Sequence, residues 1–131
     1  MVFKWSEAYS VDNTVIDKHH RHLFDLFNKF NDALSSDNNE SIVHDILLEI
    51  KDYTVYHFSY EEEAMKTSRC PDYEMHKQIH DDFIIEVDNL ISNNDTHQCL
   101  EKGAKTYKLL LVWLQNHILQ VDQHYKPYFK N

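Results

Sequence analysis

Two pairs of side chains, His57/Glu61 and His76/His80, stand four residues apart in stretches that otherwise read as helix. Side chains at i and i+4 project from one helix face, so each pair can reach a single point. Imidazole and carboxylate both ligate transition-metal ions, and His-x-x-x-His is a chelating unit when a helix holds it. His20 and His117 bring the imidazoles to five, and Glu61 makes a sixth donor. All six fall on stripes that should be apolar. Burying such a group without a partner costs several kcal/mol, and no Arg or Lys on these stripes is placed to pair with them. A satisfied core histidine is the plainer explanation for any one of them. Six intrusions on four stripes instead point to a metal, and ten histidines in 131 residues, with no terminal run of the purification-tag kind, ask for the same explanation.

The elements that must position these donors follow from helical periodicity. A first stretch, from about Asp17 to Leu34, carries Ile16, His20, Leu23, Phe27, Phe30 and Leu34 on one face. A second, from about Ser41 to Met65, aligns Ile46, Ile50, Tyr53, His57 and Glu61. After a connection containing Pro71, a third stretch from about Tyr73 to Ile91 aligns His76, His80, Phe83, Val87 and Leu90. A fourth, from about Gln98 to Val121, carries Leu100, Ala104, Tyr107, Leu110, Leu114, His117 and Val121. The breaks Ser35–Asn39 and Ser92–Thr96 are rich in turn and cap formers. One Gly and two Pro in the whole chain leave little turn chemistry for a β-rich fold.

Helices of roughly 18 to 25 residues joined by short loops pack antiparallel. The expected fold is all-α: an up-down-up-down four-helix bundle with an N-terminal loop and a short C-terminal tail, one domain over residues 1–131. Phe3, Trp5 and Tyr9 are expected to cap one end. His20 lies early in the first helix, His57 and Glu61 late in the second, His76 and His80 early in the third, and His117 late in the fourth. Up-down-up-down order brings all four positions to the same end.

Five imidazoles and one or two carboxylates exceed the four ligands of a structural zinc site and suit two ions sharing bridging carboxylates. The ferritin-like carboxylate proteins use Glu-x-x-His, and no His here has Glu three residues before it. An imidazole-rich cage leaves a ferrous pair less electron-rich than a carboxylate cage, which favours holding and releasing oxygen over cleaving it.

At this point the chain resembles the hemerythrin family. The likeness rests on Ile16-Asp17-Lys18-His19-His20-Arg21-His22-Leu23, on His57 through Met65, on His76-Lys77-Gln78-Ile79-His80, and on Trp113 through Asp122, in order and spacing. Trp5-Ser6-Glu7 also resembles the loop that opens bacterial members. The resemblance implies a pair of non-haem iron ions with an oxo or hydroxo bridge. His76, His80 and His117 would ligate one ion, His20 and His57 the other, with Glu61 and Asp122 bridging. Asp122 comes from the resemblance alone: at i+5 from His117 it should point about 140° away on an ideal helix, so a local distortion or helix end is expected there. Molecular oxygen would bind reversibly at the two-histidine ion, in a dry pocket walled by Leu114 and Ile118 with help from Phe58. The residue before the ligand is often Gln in bacterial members and is His19 here. Between His19, His20 and His22, His20 is the one on the Ile16–Leu23–Phe27 stripe.

The implied function is an oxygen carrier, store or buffer rather than an enzyme. The alternatives are an oxygen- or redox-sensing domain, or a di-iron redox enzyme scavenging peroxide, oxygen or nitric oxide. A net charge of -9 argues against nucleic acid and anionic membrane surfaces as partners. No apolar run approaches the roughly 20 residues of a membrane span, and Met1 to Ser10 carries no signal-like stretch, so the cytoplasm is expected. No protein partner can be read from the sequence. Cys70 and Cys99 are expected as free thiols, and His44, His97 and His124 as exposed.

Overall fold

The computed structural model describes residues 4–35, 40–92 and 110–128. Helix α1 spans Thr14–Ser35, α2 Glu40–Thr67 and α3 Tyr73–Ser92. The described part of the fourth helix, α4, is helical over 110–116 and continues as a π-helical turn, His117–Val121, then a 3-10 helix, Asp122–Tyr128. No strand occurs among the described residues, and the architecture is a four-helix bundle in which α2 packs against both α1 and α3. Of the expected fourth stretch, Gln98 to Leu109, Cys99 included, lies outside the described residues, as do Phe3 and His97.

The ends of the helices are fixed by local chemistry. The Asn13 side-chain oxygen accepts the N–H groups of Val15 and Ile16, both at 3.1 Å, and so caps α1. Asp17, in the first turn, accepts the Val11 N–H at 2.9 Å and the Ser10 hydroxyl at 2.6 Å, tying the N-terminal segment to the helix. At the end of α2, Arg69 adopts φ 58° where glycine is usual. The Arg69 N–H donates to Lys66 O and the Cys70 N–H to Met65 O, at 3.1 and 2.9 Å. That is a Schellman closure, and its hydrophobic contact is the buried Met65 and Cys70 pair. A reversal only five residues long then starts α3 at Tyr73, so α2 and α3 are antiparallel and their functional ends adjacent.

The N-terminal segment does not sit over an end of the bundle. Trp5 and Tyr9 pack on Phe24, ten residues into α1, with centroids 5.8 and 4.9 Å away, and the Glu7–Tyr9 turn lies against the π turn of α4. The hydrogen bonds to Asp17 direct the segment back along the flank.

The core is layered along the bundle axis. A large apolar cluster contains Leu23, Phe27 and Phe30 of α1, Ile46, Ile50 and Phe58 of α2, Phe83 and Val87 of α3, and Leu110, Leu114 and Ile118 of α4. A smaller one, Val11, Ile16, Met65, Cys70 and Tyr125, closes the α2–α3 connection end. Between them, one helical turn from each, lie His20, Glu61, His76 and their neighbours, all buried. The polar layer is sealed by apolar layers on both sides.

Candidate metal centre

Each helix delivers its donors, Asp122 excepted, from the stripe that the periodicity marks. His20, His57, Glu61, His76, His80, His117 and Asp122 are all buried, and the structure brings all seven together. Ligand-capable atoms of Glu61, His76, His80, His117 and Asp122 lie within 4.8 Å of one another, as do those of His20, His57 and Glu61. Glu61 belongs to both sets. Its Oε1 is 3.1 Å from His57 Nε2 and 3.5 Å from His80 Nε2, while Oε2 is 3.8 Å from His20 Nε2. Asp122 also spans them: Oδ1 is 2.9 Å from His117 Nε2 and 3.0 Å from His76 Nε2, and Oδ2 is 3.2 Å from His20 Nε2.

Asp122 reaches the site because the helix departs from α geometry there. In the π turn the Asp122 N–H donates to the His117 carbonyl, five residues back. The wider turn takes up one extra residue, so i+5 falls beneath i instead of 140° from it. This is the distortion that the spacing of His117 and Asp122 requires.

These short distances are mostly not hydrogen bonds. His20 Nε2, Glu61 Oε1, His76 Nε2 and both Asp122 oxygens are buried and lack a correctly directed hydrogen-bond partner among the described residues, as do the rear nitrogens His20 Nδ1 and His117 Nδ1. The lone pairs of the first five atoms converge on common points rather than on each other. His80 Nε2 and His117 Nε2 likewise approach to 3.1 Å, although the other nitrogen of His80, Nδ1, is engaged by Glu62 Oε2 at 2.9 Å. Such an arrangement costs several kcal/mol unless cations fill the convergence points. The donor set, imidazole with shared carboxylate, fits two first-row transition-metal ions.

Protonation equilibria show the same competition. Burial and the Asp122 carboxylate push the Glu61 carboxyl up, yet the His57 and His80 imidazoles more than offset them and hold it at about 2. Burial also opposes ionisation of Asp122, but His117, His20 and His76 draw its carboxyl well below the ordinary range. Burial disfavours charge on His20 and His76, and Asp122 beside each one raises both. In His80 burial prevails over Glu62 and the imidazole is pushed down.

Three residues that complete this environment were not expected from the sequence. Tyr125, fully buried, donates its hydroxyl to Glu61 Oε2. Glu62 accepts from His80 Nδ1, the contact that fixes the tautomer and ring plane of a ligating imidazole. The His19 ring is buried and its Nδ1 meets His57 Nδ1 at 2.9 Å. The one signal for Tyr125 was phase: past the π turn, Asp122 and Tyr125 take the buried positions that Val121 and His124 would hold on an unbroken helix. Leu114, Ile118 and Phe58 are buried in the large apolar cluster. Phe58 stacks on His80, 3.7 Å between centroids and 1° from parallel, and Trp113 stacks on His117 at 4.5 Å and 9°. Of the remaining histidines, His124 is exposed and His44 half-buried, and Cys70 is a buried free thiol.

A four-helix bundle enclosing a dry cluster of five imidazoles and two shared carboxylates defines a class of proteins that hold a metal pair between helices. Residues 11–129 match the family described as hemerythrin HHE cation binding domain, and the chain belongs to that family, whose cofactor is a pair of non-haem irons. It is 32% identical to a bacteriohemerythrin of Methylococcus capsulatus over 124 residues, 94% of this chain and 93% of the relative. Over 125 residues it is 32% identical to hemerythrin subunit 1 of Golfingia vulgaris, covering 95% and 90%. A crystal structure of a wild-type hemerythrin superposes with a TM-score of 0.88 at 27% identity, covering all of both chains.

Proposed function

We propose that this chain is a di-iron protein that takes up molecular oxygen reversibly, as a carrier, store or local buffer. The observation carrying the proposal is the convergence of seven buried donor side chains, seven of whose atoms have no hydrogen-bond partner among the described residues, on two centres joined by Glu61 and Asp122. His76, His80 and His117 would hold one iron, His20 and His57 the other, and the two carboxylates would bridge them. When bound, the iron pair supplies the redox equivalents that let oxygen be held and given back.

The chain's own residues account for the rest. Three imidazoles converge on one half of the cluster and two on the other, so an ion on the two-imidazole side would have fewer protein donors and a position left for a small molecule. Leu114 and Ile118 wall the layer and keep water from it, which suppresses proton-assisted loss of electrons from the pair. Phe58 lies flat on His80 and so lines the three-imidazole half. Tyr125 holds Glu61 by its hydroxyl while the apolar layers on either side keep both carboxylates dry. Binding without turnover suits a polar layer whose acids and imidazoles are all turned to the two centres. A reducing compartment such as the cytoplasm suits the buried Cys70 thiol, and no helix among the described residues is long and apolar enough to cross a membrane.

The test is an anaerobic optical titration of the ferrous-loaded protein with oxygen, followed by deoxygenation and an iron count. A charge-transfer band that comes and goes with oxygen, at two irons per chain, is the expected result. Prompt, irreversible conversion to a ferric form would overturn reversible carriage and point to a redox enzyme or sensor on the same centre.

A further inference from the structure

His19 precedes His20 on α1, about 100° around the helix, so its ring leaves the stripe and turns to α2. There it is walled by three aromatic rings: Tyr60, Tyr56 and Tyr53 lie 5.0, 5.3 and 5.9 Å away between centroids. Only 7% of it is exposed. Its Nδ1 sits 2.9 Å from His57 Nδ1, while the opposite nitrogen of His57 faces Glu61. Two like nitrogens at that distance share one hydrogen. A neutral imidazole carries a hydrogen on one nitrogen and a lone pair on the other, so the two rings constrain each other.

We propose that His19 is a positioning residue: as a neutral acceptor at Nδ1 it fixes His57 in the tautomer, and the ring plane, that aims the Nε2 lone pair at a metal ion. The inference rests on the two-metal reading of the site and deepens it. Ligation through His57 Nε2 places the hydrogen on His57 Nδ1, which donates to His19 Nδ1; His19 then carries its own hydrogen on Nε2, towards the tyrosine collar. An imidazolium at His19 would have no lone pair to offer.

The role is specific to one half of the cluster. His80 is oriented by the Glu62 carboxylate, whereas His20 has no hydrogen-bond partner at Nδ1 among the described residues. Within the two-imidazole half, His57 alone is therefore held from behind, and held by a group without charge. Partners of this kind are worth roughly 10–100-fold in metal affinity when removed.

The experiment is a titration of the metal-depleted protein with Co(II), followed optically and by calorimetry, for the unaltered chain, His19→Ala and His19→Gln. Two binding steps are expected in the unaltered chain. In His19→Ala the weaker step should lose roughly 10–100-fold in affinity, with the tighter step unchanged. His19→Gln, whose amide oxygen can accept the same hydrogen, should recover most of the loss. Ring-nitrogen NMR of the Zn(II)-loaded protein should find a hydrogen on His57 Nδ1. Unchanged affinities in His19→Ala, equal weakening of both steps with a lowered melting temperature, or no recovery in His19→Gln would each overturn the positioning role. Uptake of fewer than two ions by the unaltered chain would instead remove the two-metal reading, and this inference with it.

Discussion

The two halves of the polar layer are built from the same side chains and differ in what stands behind them. On the α3/α4 side His76, His80 and His117 converge, with Phe58 and Trp113 stacked on two of the rings and a carboxylate behind one. On the α1/α2 side only His20 and His57 converge, and the group behind His57 is the neutral His19. A carboxylate behind an imidazole raises its basicity, and a neutral acceptor orients it without adding charge. One half is therefore suited to saturate and retain an ion, and the other to hold an ion that still has room for a small ligand. The asymmetry lies in the surroundings as much as in the ligand count.

The largest effect should come from removing what the halves share. Glu61→Ala or Asp122→Ala takes a carboxylate from both centres at once, and the purified protein is expected to carry well under one iron per chain by elemental analysis. Two irons per chain in either variant would show that the halves are independent. Next come single imidazoles from opposite sides. His80→Ala should lose both irons, whereas His57→Ala should lose one and keep the other in the three-imidazole half. Because bound metal stabilises the fold by linkage, with a ligand at a thousand times its Kd worth about 4 kcal/mol, both variants should melt earlier than the iron-loaded parent. Equal iron content in the two would erase the distinction.

Tyr125→Phe sharpens the comparison at smaller scale. It keeps the ring in the apolar layer and removes only the hydroxyl that Glu61 accepts. Loss of such a charge-assisted bond is expected to cost roughly 1.5–3 kcal/mol in denaturant unfolding of the iron-loaded protein. No change would mean that the carboxylate is held by other groups alone.

The smallest effect is on the acid stability of the metal-depleted protein. His19 titrates at about 4 in the fold against an ordinary 6.5, so folding favours its neutral form. Its contribution is complete above pH 6.5 and is lost as pH falls from there towards 4. Glu61, held at about 2 against 4.5, contributes fully above pH 4.5 and loses that contribution as pH falls towards 2. His19→Gln should flatten the first segment of the stability profile, measured by urea unfolding at stepped pH, and leave the second intact.

Much of this site was legible because burial forces polar residues on an apolar stripe to declare themselves. His20 was separable from His19 and His22 by phase alone, and His57, Glu61, His76 and His80 by the i, i+4 rule. Helix α1 begins three residues earlier than periodicity suggested, because the Asn13 cap rather than the apolar stripe sets its start. Asp122 was not derivable from helical phase, since the π turn that places it changes the phase itself. Glu62 was hidden beside Glu61, and His19 beside His20, by their positions off the stripe. Both act across the gap between helices, where the spacing within one helix carries no information.

Trp113 has one more consequence. Its indole lies almost flat on the His117 ring, and only one other tryptophan, Trp5, occurs in the chain. A redox-active ion held by His117 is expected to quench emission from that indole at short range. Trp113 should then serve as an optical gauge of occupancy in the three-imidazole half, readable without a dye, and Trp113→Phe should silence the metal-dependent part of the signal.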